Sequence, residues 1–293
     1  MKTKKLLNSA AIAALITSAS GSLTMDWVTV GNAGNAADPL TGYGAVGYAY
    51  KIGKYEVTNA QYGAFLNAKA ATDSFGLYNS NMSTYGINRS GSSGIYTYSV
   101  TGALANRPVV WVSWFDAARF ANWIMNGQGS GSTETGAYTL NGATSGIVLA
   151  NAGAQVYIPT EDEWYKAAYY NAVSQTYSLY PNGQNSITTA DANYSSRGST
   201  DIGFYSGDAS SYGTFDQGGN VWERNDAVVG SSRGLRGGGW GNHGGYLQSS
   251  ARNDDETTFE GANNGFRLAS VPEPSAILLT IFAGGAALLR RKR

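Results

Sequence analysis

Two glycine-rich segments, each containing a tryptophan, constrain the fold of this chain more than any other feature. Residues 218–223 read Gly-Gly-Asn-Val-Trp-Glu, and residues 236–240 read Arg-Gly-Gly-Gly-Trp. Glycine permits positive φ angles and the close approach of two backbones, so both segments predict tight bends. Trp222 and Trp240 add large apolar surfaces that must be buried nearby. We therefore expect aromatic side chains packed directly against sharply bent backbone.

Asn220 and Glu223 are the polar members of the first segment. They place an amide oxygen and a carboxylate three residues apart, and oxygen atoms of these types are the ligands that calcium prefers. The same side chains would serve equally well to satisfy backbone groups of the bend. The residues alone leave both interpretations open.

The composition favours short strands and loops over a helical bundle. With 42% hydrophobic residues in 293, the chain can bury a substantial core. Its 39 glycines, its 20 tyrosines and a charged fraction of only 14% indicate many loops packed by aromatic rings. We expect one ordered domain at residues 26–270.

The charge distribution argues against nucleic-acid binding. Seven of the 20 basic residues lie in the first five and last four positions; setting Glu273 aside as well leaves 13 basic against 19 acidic residues, a net charge of −6. Such a body has no basic footprint for nucleic acid. The chain has no cysteine, which excludes disulfides, thiolate nucleophiles and zinc–thiolate sites. His243 is the only histidine, so a three-histidine iron site cannot be built within this chain.

Three capping patterns predict the beginnings of helices: Thr58 with Gln61, Ser113 with Asp116, and Thr160 with Glu163. The carboxylates at residues 161–163 suggest acid/base chemistry, but acids in a first turn are better explained by the cap and the helix dipole. The side chains expected on the inner faces of the three helices are Tyr62, Phe65, Leu66, Ala117, Phe120, Ala121, Ile124, Trp164, Ala167 and Ala168.

Three further segments carry predictions. Residues 108–114 are expected to form a short apolar strand that leads into the second helix. Residues 138–149 are expected to form two short strands that turn at Asn141 and Gly142. The acidic residues 254–256 are interpreted as a solvated loop, with cation binding as the alternative.

The amino-terminal residues 1–22 match a secretory signal peptide. Basic residues 2–5 precede an apolar run at 6–16, and the small residues 18–21 offer a cleavage site. The alternative is a buried amino-terminal helix.

The carboxy-terminal residues 271–293 resemble the PEP-CTERM sorting signal. Pro272, Glu273 and Pro274 precede an apolar run at 276–289 and a basic tail. This run is shorter than the roughly 20 residues of a comfortable membrane span, which favours a transient membrane anchor with its basic end in the cytoplasm. The resemblance implies an exosortase-type sorting protease as partner, and release to the cell surface or extracellular matrix. A plain tail anchor is the alternative.

The two glycine-rich segments, followed by Asn-Gly-Phe-Arg-Leu at 264–268, resemble the formylglycine-generating enzyme (sulfatase-modifying factor) family. Motifs at residues 56–62, 108–114 and 158–164 extend the resemblance to about residues 48–269. It implies an α+β domain with a C-type-lectin-like core: short twisted strands, about three capped helices and much ordered loop. It also implies structural calcium, with Asn220 and Glu223 at one site and Asn193 contributing to another.

The family's catalytic chemistry is not expected here. Family enzymes bind copper through two cysteines after the Arg-Gly-Gly motif, whereas residues 240–248 read Trp-Gly-Asn-His-Gly-Gly-Tyr-Leu-Gln. Without sulfur this segment cannot hold Cu(I) in the same way, and related iron enzymes carry their histidines in another domain. We expect neither a copper nor an iron site. His243 as a lone base or ligand lacks a partner at any diagnostic spacing.

Two functions from different classes follow. The first is an exported, non-catalytic binding or structural protein that contacts a protein or glycan ligand. Its loops at 75–100, 127–135 and 240–260 are rich in Tyr, Asn and Gly, which suit contact surfaces. The candidate recognition surface is Trp240, Asn242, His243 and Tyr246. The second is a divergent enzyme of the family, of formylglycine-generating or non-heme-iron type, which would need at least two ionisable groups converging in a cleft near residues 240–248.

Overall fold

The protein is described by a computed structural model over residues 22–271. The predicted signal peptide, apart from Ser22, and the predicted sorting residues Pro272, Glu273 and Pro274 lie outside this range. Within it the α-helices are α1 (Asn59–Lys69), α2 (Met82–Tyr85), α3 (Trp114–Met125) and α4 (Glu161–Tyr169). None of these helices has the length and apolar character needed to cross a bilayer.

The strands are short. In chain order they are β1 (Trp27–Val30), β2 (Tyr50–Gly53), β3 (Ile87–Ser90), β4 (Thr97–Val100), β5 (Val156–Tyr157), β6 (Tyr170–Asn171), β7 (Thr176–Tyr177), β8 (Trp222–Val229), β9 (Ser232–Arg236), β10 (Asn253–Glu256), β11 (Asn264–Phe266) and β12 (Ala269–Ser270). The fold is α+β, as the sequence predicts.

The three predicted capping boxes are present. Thr58 accepts a hydrogen bond from the backbone N–H of Gln61, and the Gln61 side chain returns one to Thr58. Ser113 with Asp116 opens α3 in the same way, and Thr160 with Glu163 opens α4. Each box satisfies backbone donors that the first turn of a helix leaves free. The predicted inner faces are buried, except that Ile124 is only half-buried.

Helices α1 and α3 hold the main aromatic core. Tyr62 of α1 stacks on Phe120 of α3 with 6.0 Å between ring centroids, and Phe65 meets Trp123 at 5.3 Å. Phe266 of β11 lies 5.6 Å from Phe120. This contact joins the helices to β11, the strand that carries the first three residues of the motif at 264–268.

The first four-stranded sheet has the order β1-β2-β12-β5 and is antiparallel throughout. Ile52 pairs with Val28 on one side and with Ala269 on the other, and Ala269 also pairs with Tyr157. The first and last strands of the described chain therefore lie in one sheet.

The second four-stranded sheet has the order β10-β9-β8-β11. Its β8 and β11 run parallel, with Glu223 opposite Gly265. The Gly-Asn-Val-Trp-Glu and Asn-Gly-Phe-Arg segments, which are far apart in the sequence, thus become neighbours.

Three sequence predictions are corrected here. Residues 254–256 form part of strand β10 on β9 rather than a loop, because charged side chains suit an exposed sheet edge. Asn141 and Gly142 do turn, with φ of 49° and 84°, but only the isolated bridge Tyr138–Ala150 flanks them. Residues 108–114 form no strand. Pro108 makes only an isolated β-bridge, to Thr58, and the φ of 60° at Trp111 interrupts the extended backbone.

Candidate functional site

The two glycine-rich segments pack backbone to backbone. The N–H of Gly219 donates to the carbonyl of Gly237 at 2.9 Å, and the N–H of Trp240 donates to that of Asn220 at 2.8 Å. Gly219 has a φ of 86°, and a Cβ there would lie 2.4 Å from the Asn193 carbonyl oxygen. Gly237 is equally confined, with 2.6 Å to the Gln217 carbonyl oxygen. These glycines are required by both conformation and space.

Glu223 belongs to a buried ion pair with Arg267. Arg267 Nε donates to Glu223 Oε2 at 2.5 Å and its Nη2 donates to Oε1 at 2.6 Å. The indole N–H of Trp164 also donates to Glu223 Oε2, at 2.8 Å. Both charged side chains are fully buried. Two parallel charge-assisted bonds hold β8 to the chain after β11, which gives Arg267 a structural role.

Asn193 and Asn220 contact each other beside this pair. Asn193 Nδ2 donates to Asn220 Oδ1 at 3.2 Å, and the N–H of Thr200 donates to the same oxygen at 2.9 Å. Asn220 Nδ2 in turn donates to Glu56 Oε1 at 3.1 Å. Asn220 and Glu223, predicted at one calcium site, are linked here through Glu56 and Arg267, whereas Asn193, predicted at another site, contacts Asn220 directly.

A group of carboxylates surrounds the Arg267 guanidinium. Glu56 Oε2 lies 4.0 Å from Arg267 Nη2 and has no hydrogen-bond partner among the described residues. Burial, followed by the charge of Asp216, raises the pKa of Glu56 well above its usual value. Burial also raises the pKa of Asp216 to about 6. One guanidinium cannot neutralise three carboxylates, so this environment favours the protonated form of Glu56.

The geometry around Glu223 suits an arginine better than a metal ion. Both of its oxygens accept hydrogen bonds from Arg267, whose positive charge stands where a cation would. Asn193 and Asn220 offer neutral oxygens, and Asn193 Oδ1 accepts from the Ser196 hydroxyl at 2.6 Å. Within residues 22–271, no group of three or more His, Cys, Asp and Glu side chains is placed to hold a metal. Calcium at the predicted ligands Asn193, Asn220 and Glu223 stays a prediction.

The candidate recognition surface follows directly after the second glycine-rich segment. Asn242 Oδ1 accepts from the N–H of Gly239 at 2.9 Å, which fixes the turn. His243 Nδ1 accepts from the N–H of Gly245 at 3.2 Å and caps the short 3-10 helix Gly244–Leu247. The His243 ring lies 4.6 Å from the Tyr246 ring. His243 and Tyr246 are exposed, whereas Trp240 and Asn242 are half-buried.

Trp222 supports this surface from beneath. Its ring lies 5.8 Å from that of Tyr246 in an edge-to-face arrangement, and Trp222 itself is buried. The N–H of Ser195 donates to the carbonyl of Asn242 at 2.7 Å, and the N–H of Ser196 donates to that of Trp240 at 2.7 Å. The backbone at Trp240 and Asn242 is thus held by Ser195 and Ser196, and His243 and Tyr246 follow in the chain.

His243 has the contacts of a structural histidine. Its described partners are a backbone N–H and a tyrosine ring, with no carboxylate among the hydrogen bonds and ion pairs of the described residues. The only histidine of the chain therefore lacks the acid that would orient it as a base. The surface can offer aromatic faces and amide groups to a ligand.

Two arginines beside this site share one carboxylate, Glu161, and this contact was not predicted. Arg236, the first residue of the second glycine-rich segment, donates through Nε to Glu161 Oε1 at 2.8 Å. Arg252 binds the same carboxylate through two bonds of 2.7 and 2.9 Å. The signal for Glu161 was its place in the first turn of α4, but its partners are distant in the sequence. Glu56 and Asp216 were missed for the same reason.

Comparisons with known proteins agree with this geometry. Residues 7–271 match the family described as the sulfatase-modifying factor enzyme 1-like domain. Treponema denticola variable protein 1 has a similar solved structure, with a TM-score of 0.59 and 22% identity, over 86% of this chain and 97% of that one. CarF is similar with a TM-score of 0.56 and 23% identity, over 85% and 99% of the two chains. No curated protein matches the chain.

Proposed function

Because this chain belongs to the sulfatase-modifying factor enzyme 1-like family, we propose that it uses the fold of that family to bind a ligand rather than to catalyse an oxidation. The segment after residues 236–240 is the part of the chain on which the proposal depends. It offers His243, Tyr246, Trp240 and Asn242 as a contact surface. The ligand is a protein or a glycan outside the cell.

The proposal depends mainly on the contacts that His243 makes. Its Nδ1 accepts a backbone hydrogen bond at 3.2 Å, and its ring packs on Tyr246. A histidine fixed in this way contributes a flat polar face, and no carboxylate of residues 22–271 forms a hydrogen bond or ion pair with it. The sequence of this segment holds no sulfur that would bind copper.

The rigidity of the turn supports a binding role. Hydrogen bonds from Ser195, Ser196 and Gly239 fix the backbone or side chains of residues 240–242. A ligand that docks on a preorganised surface loses less conformational entropy on binding. Tyr and Trp contribute large contact area with few rotatable bonds.

The binding test compares full-length protein with a His243→Ala, Tyr246→Ala double variant. The probe is the extracellular polymer fraction washed from the producing cells. We expect at least tenfold weaker retention of the double variant. Val173→Ala is the control, because Val173 is 93% exposed on another hairpin. Equal retention of all three proteins would contradict the proposed surface.

The divergent-enzyme alternative has its own test. Full-length protein is incubated with a cysteine-containing peptide, oxygen and either Cu(I) or Fe(II), and the peptide mass is followed. We expect no change of mass. Turnover that exceeds the metal-only control would contradict the binding function.

Export and sorting form the second part of the proposal. Residues 1–22 act as the signal peptide, and residues 271–293 anchor the chain transiently until an exosortase-type protease releases it to the cell surface or matrix. A variant with Pro272, Glu273 and Pro274 all changed to Ala should remain in the membrane fraction. Identical fractionation of wild type and variant would contradict the sorting role.

Structural calcium is proposed for the Asn193–Asn220 pair alone. The support is that Asn193 gathers several oxygen atoms: its Oδ1 accepts from the Ser196 hydroxyl at 2.6 Å, and its Nδ2 donates to the Gly198 carbonyl at 3.0 Å and to Asn220 Oδ1 at 3.2 Å. We expect the melting temperature of full-length protein to rise with calcium and to fall with chelator, and the shift to vanish in Asn193→Ala. A calcium-independent melt would contradict this.

A further inference from the structure

Trp111 is held in a conformation that is costly for a bulky side chain. Its φ is 60°, and it is the one aromatic residue among the non-glycine residues with positive φ in the described chain. A left-handed backbone at a bulky residue is a true outlier and is energetically unfavourable. Its indole N–H is shielded from solvent and has no acceptor among residues 22–271. Two penalties at one residue indicate a role other than stability.

The half-buried Trp111 side chain has one aromatic neighbour whose ring lies close to its own, Tyr85, and a second, Phe259, that it reaches through Gly261. The Tyr85 ring lies 6.4 Å from the Trp111 ring. The N–H of Trp111 donates to the carbonyl of Gly261 at 2.9 Å, and the Phe259 ring packs against Gly261. Phe259 is 46% exposed. Tyr85, Trp111 and Phe259 form what we call the Trp111 platform.

Each member of the Trp111 platform is fixed through its backbone. Asn59 Nδ2 donates to the Tyr85 carbonyl at 2.7 Å. The N–H of Phe259 donates to the carbonyl of Glu256 at 3.0 Å, and the buried Arg224 guanidinium binds the Phe259 carbonyl. The rings are therefore presented by rigid backbone, which lowers the entropic cost of contact.

Polar and acidic groups border the platform. Asn79 Nδ2 donates at 2.5 Å to Oε2 of Glu260, the residue that follows Phe259 in the chain. Strand β10, which precedes Phe259 in the chain, adds the exposed acidic residues Asp254 and Glu256. An acidic border repels phosphate, sulfate and uronate groups. Carboxylate and amide oxygens each have two lone pairs, so the Glu260 carboxylate and the Asn79 amide oxygen can accept hydrogen bonds from hydroxyl groups in addition to those from Asn79 Nδ2 and the Asn81 N–H.

We propose that the Trp111 platform is a recognition site for the sugar rings of a neutral glycan, separate from the surface at residues 240–246. A pyranose ring presents C–H groups on its faces and hydroxyls at its edge. The C–H face complements the electron-rich face of an aromatic ring, and the hydroxyls complement Asn79 and Glu260. Flat rings and an acidic border thus select uncharged sugar over nucleic acid or acidic polymer.

The inference rests on the proposed binding function and names the ligand class. The test is affinity electrophoresis of full-length protein in native gels that contain dextran, galactomannan or hydroxyethyl cellulose. We expect one of these to retard the wild type and alginate to have no effect. Trp111→Gly and Phe259→Ala should each weaken the retardation about tenfold or more. Leu149→Ala is the matched control, because Leu149 is 67% exposed elsewhere.

Trp111→Gly also separates binding from folding. Glycine accepts a φ of 60°, so relief of strain offsets part of the lost packing, and we expect a melting temperature within a few degrees of wild type. If Trp111→Gly does not fold, the retardation of Phe259→Ala decides the test, because the Phe259 side chain is half exposed.

Three outcomes would overturn the inference. The first is neutral-glycan retardation that Trp111→Gly and Phe259→Ala leave unchanged. The second is Trp111-dependent binding of a trimethyllysine peptide without glycan binding, which would assign the platform to a cation. The third is binding lost only in the His243→Ala, Tyr246→Ala variant, which would leave the proposed function standing and remove the second site.

Discussion

At the residue scale, the buried pair of Glu223 and Arg267 explains why this chain tolerates so much charge in its interior. The guanidinium also donates to the carbonyls of Gly53 and Phe215, at 2.9 and 2.8 Å. One side chain thus joins β2, the loop before the first glycine-rich segment, and β8. A charge in this position is tolerated only while its partners remain.

Glu223→Gln should therefore destabilise the fold strongly. Removing one partner of a buried ion pair typically costs about 3–5 kcal/mol, because the other charge is left uncompensated. Asp201→Asn is the matched control: its pairing with Arg107 is 3.9 Å long and both side chains are partly exposed, so we expect less than about 1 kcal/mol. Urea unfolding measures both. Equal effects would refute the central role of the buried pair.

Two glycines with similar φ separate backbone strain from crowding. Gly219 has a φ of 86° and Gly183 a φ of 77°, but only Gly219 would place a Cβ against backbone, 2.4 Å from Asn193 oxygen. Gly183→Ala should cost about 1 kcal/mol of unfolding free energy. Gly219→Ala should cost several times more, because the two segments cannot remain in contact. Similar losses in both variants would show that close approach is not required.

Asp116 should make stability depend on pH. Burial, with Glu260 as the next cause, raises the pKa of Asp116 in the folded protein from 3.8 to about 7. The folded state thus holds a proton that the unfolded state loses earlier. Its contribution is complete below about pH 4 and disappears as the pH rises through about 7.

Urea unfolding between pH 4 and pH 8 tests this contribution. Wild type should lose stability across that range at up to roughly 1.4 kcal/mol per pH unit from this group. Asp116→Asn should show a shallower slope, because the amide does not titrate. Identical slopes in the two proteins would contradict the raised pKa.

At the element scale, the helices follow from local signals. Each capping box spans four residues, so its side chains meet as soon as the first turn forms. Thr160→Ala should cost about 1 kcal/mol, measured by urea unfolding, because the N–H of Glu163 loses its acceptor. The exposed Ser250→Ala should have little effect. A neutral Thr160→Ala would mean that tertiary contacts alone hold α4.

Elements that depend on distant partners were harder to predict. Strand β10 carries charges at 254–256 and looks like a loop until β9 is present to pair with it. Trp111 lies in an apolar run typical of a strand. Its backbone nevertheless leaves the extended conformation, and its N–H donates to the carbonyl of the distant Gly261. Asn193 and Asn220 were predicted at two separate calcium sites, yet their side chains are hydrogen-bonded to each other. The partners of Glu223 and Asn220 were not predicted, because Arg267 and Glu56 come from other parts of the chain.

At the scale of the whole molecule, the sheet β1-β2-β12-β5 ties the two ends of the described chain together. Strand β2 pairs with both β1 and β12. We expect the domain to unfold in one transition, because neither end of the described chain can detach without breaking this sheet.

Hydrogen exchange of full-length protein tests this cooperativity. The amides of Val28 or Ile52 in the first sheet should exchange with the same opening free energy as those of β8 and β9 in the second. The amides of the exposed hairpin tip near Val173 should exchange much faster. An opening free energy for β1 and β2 well below that of the second sheet would show two independent units.

The position of β12 also has a mechanical consequence. Tension applied at Val271 would meet Ser270 and Ala269, which are clamped between β2 and β5, and next Arg267 with its buried partners. The tail would have to be torn from two neighbouring strands at once rather than peeled from an edge. A machine that unravels proteins from the carboxy terminus would therefore stall here, and the folded body would survive pulling forces transmitted along its own tail.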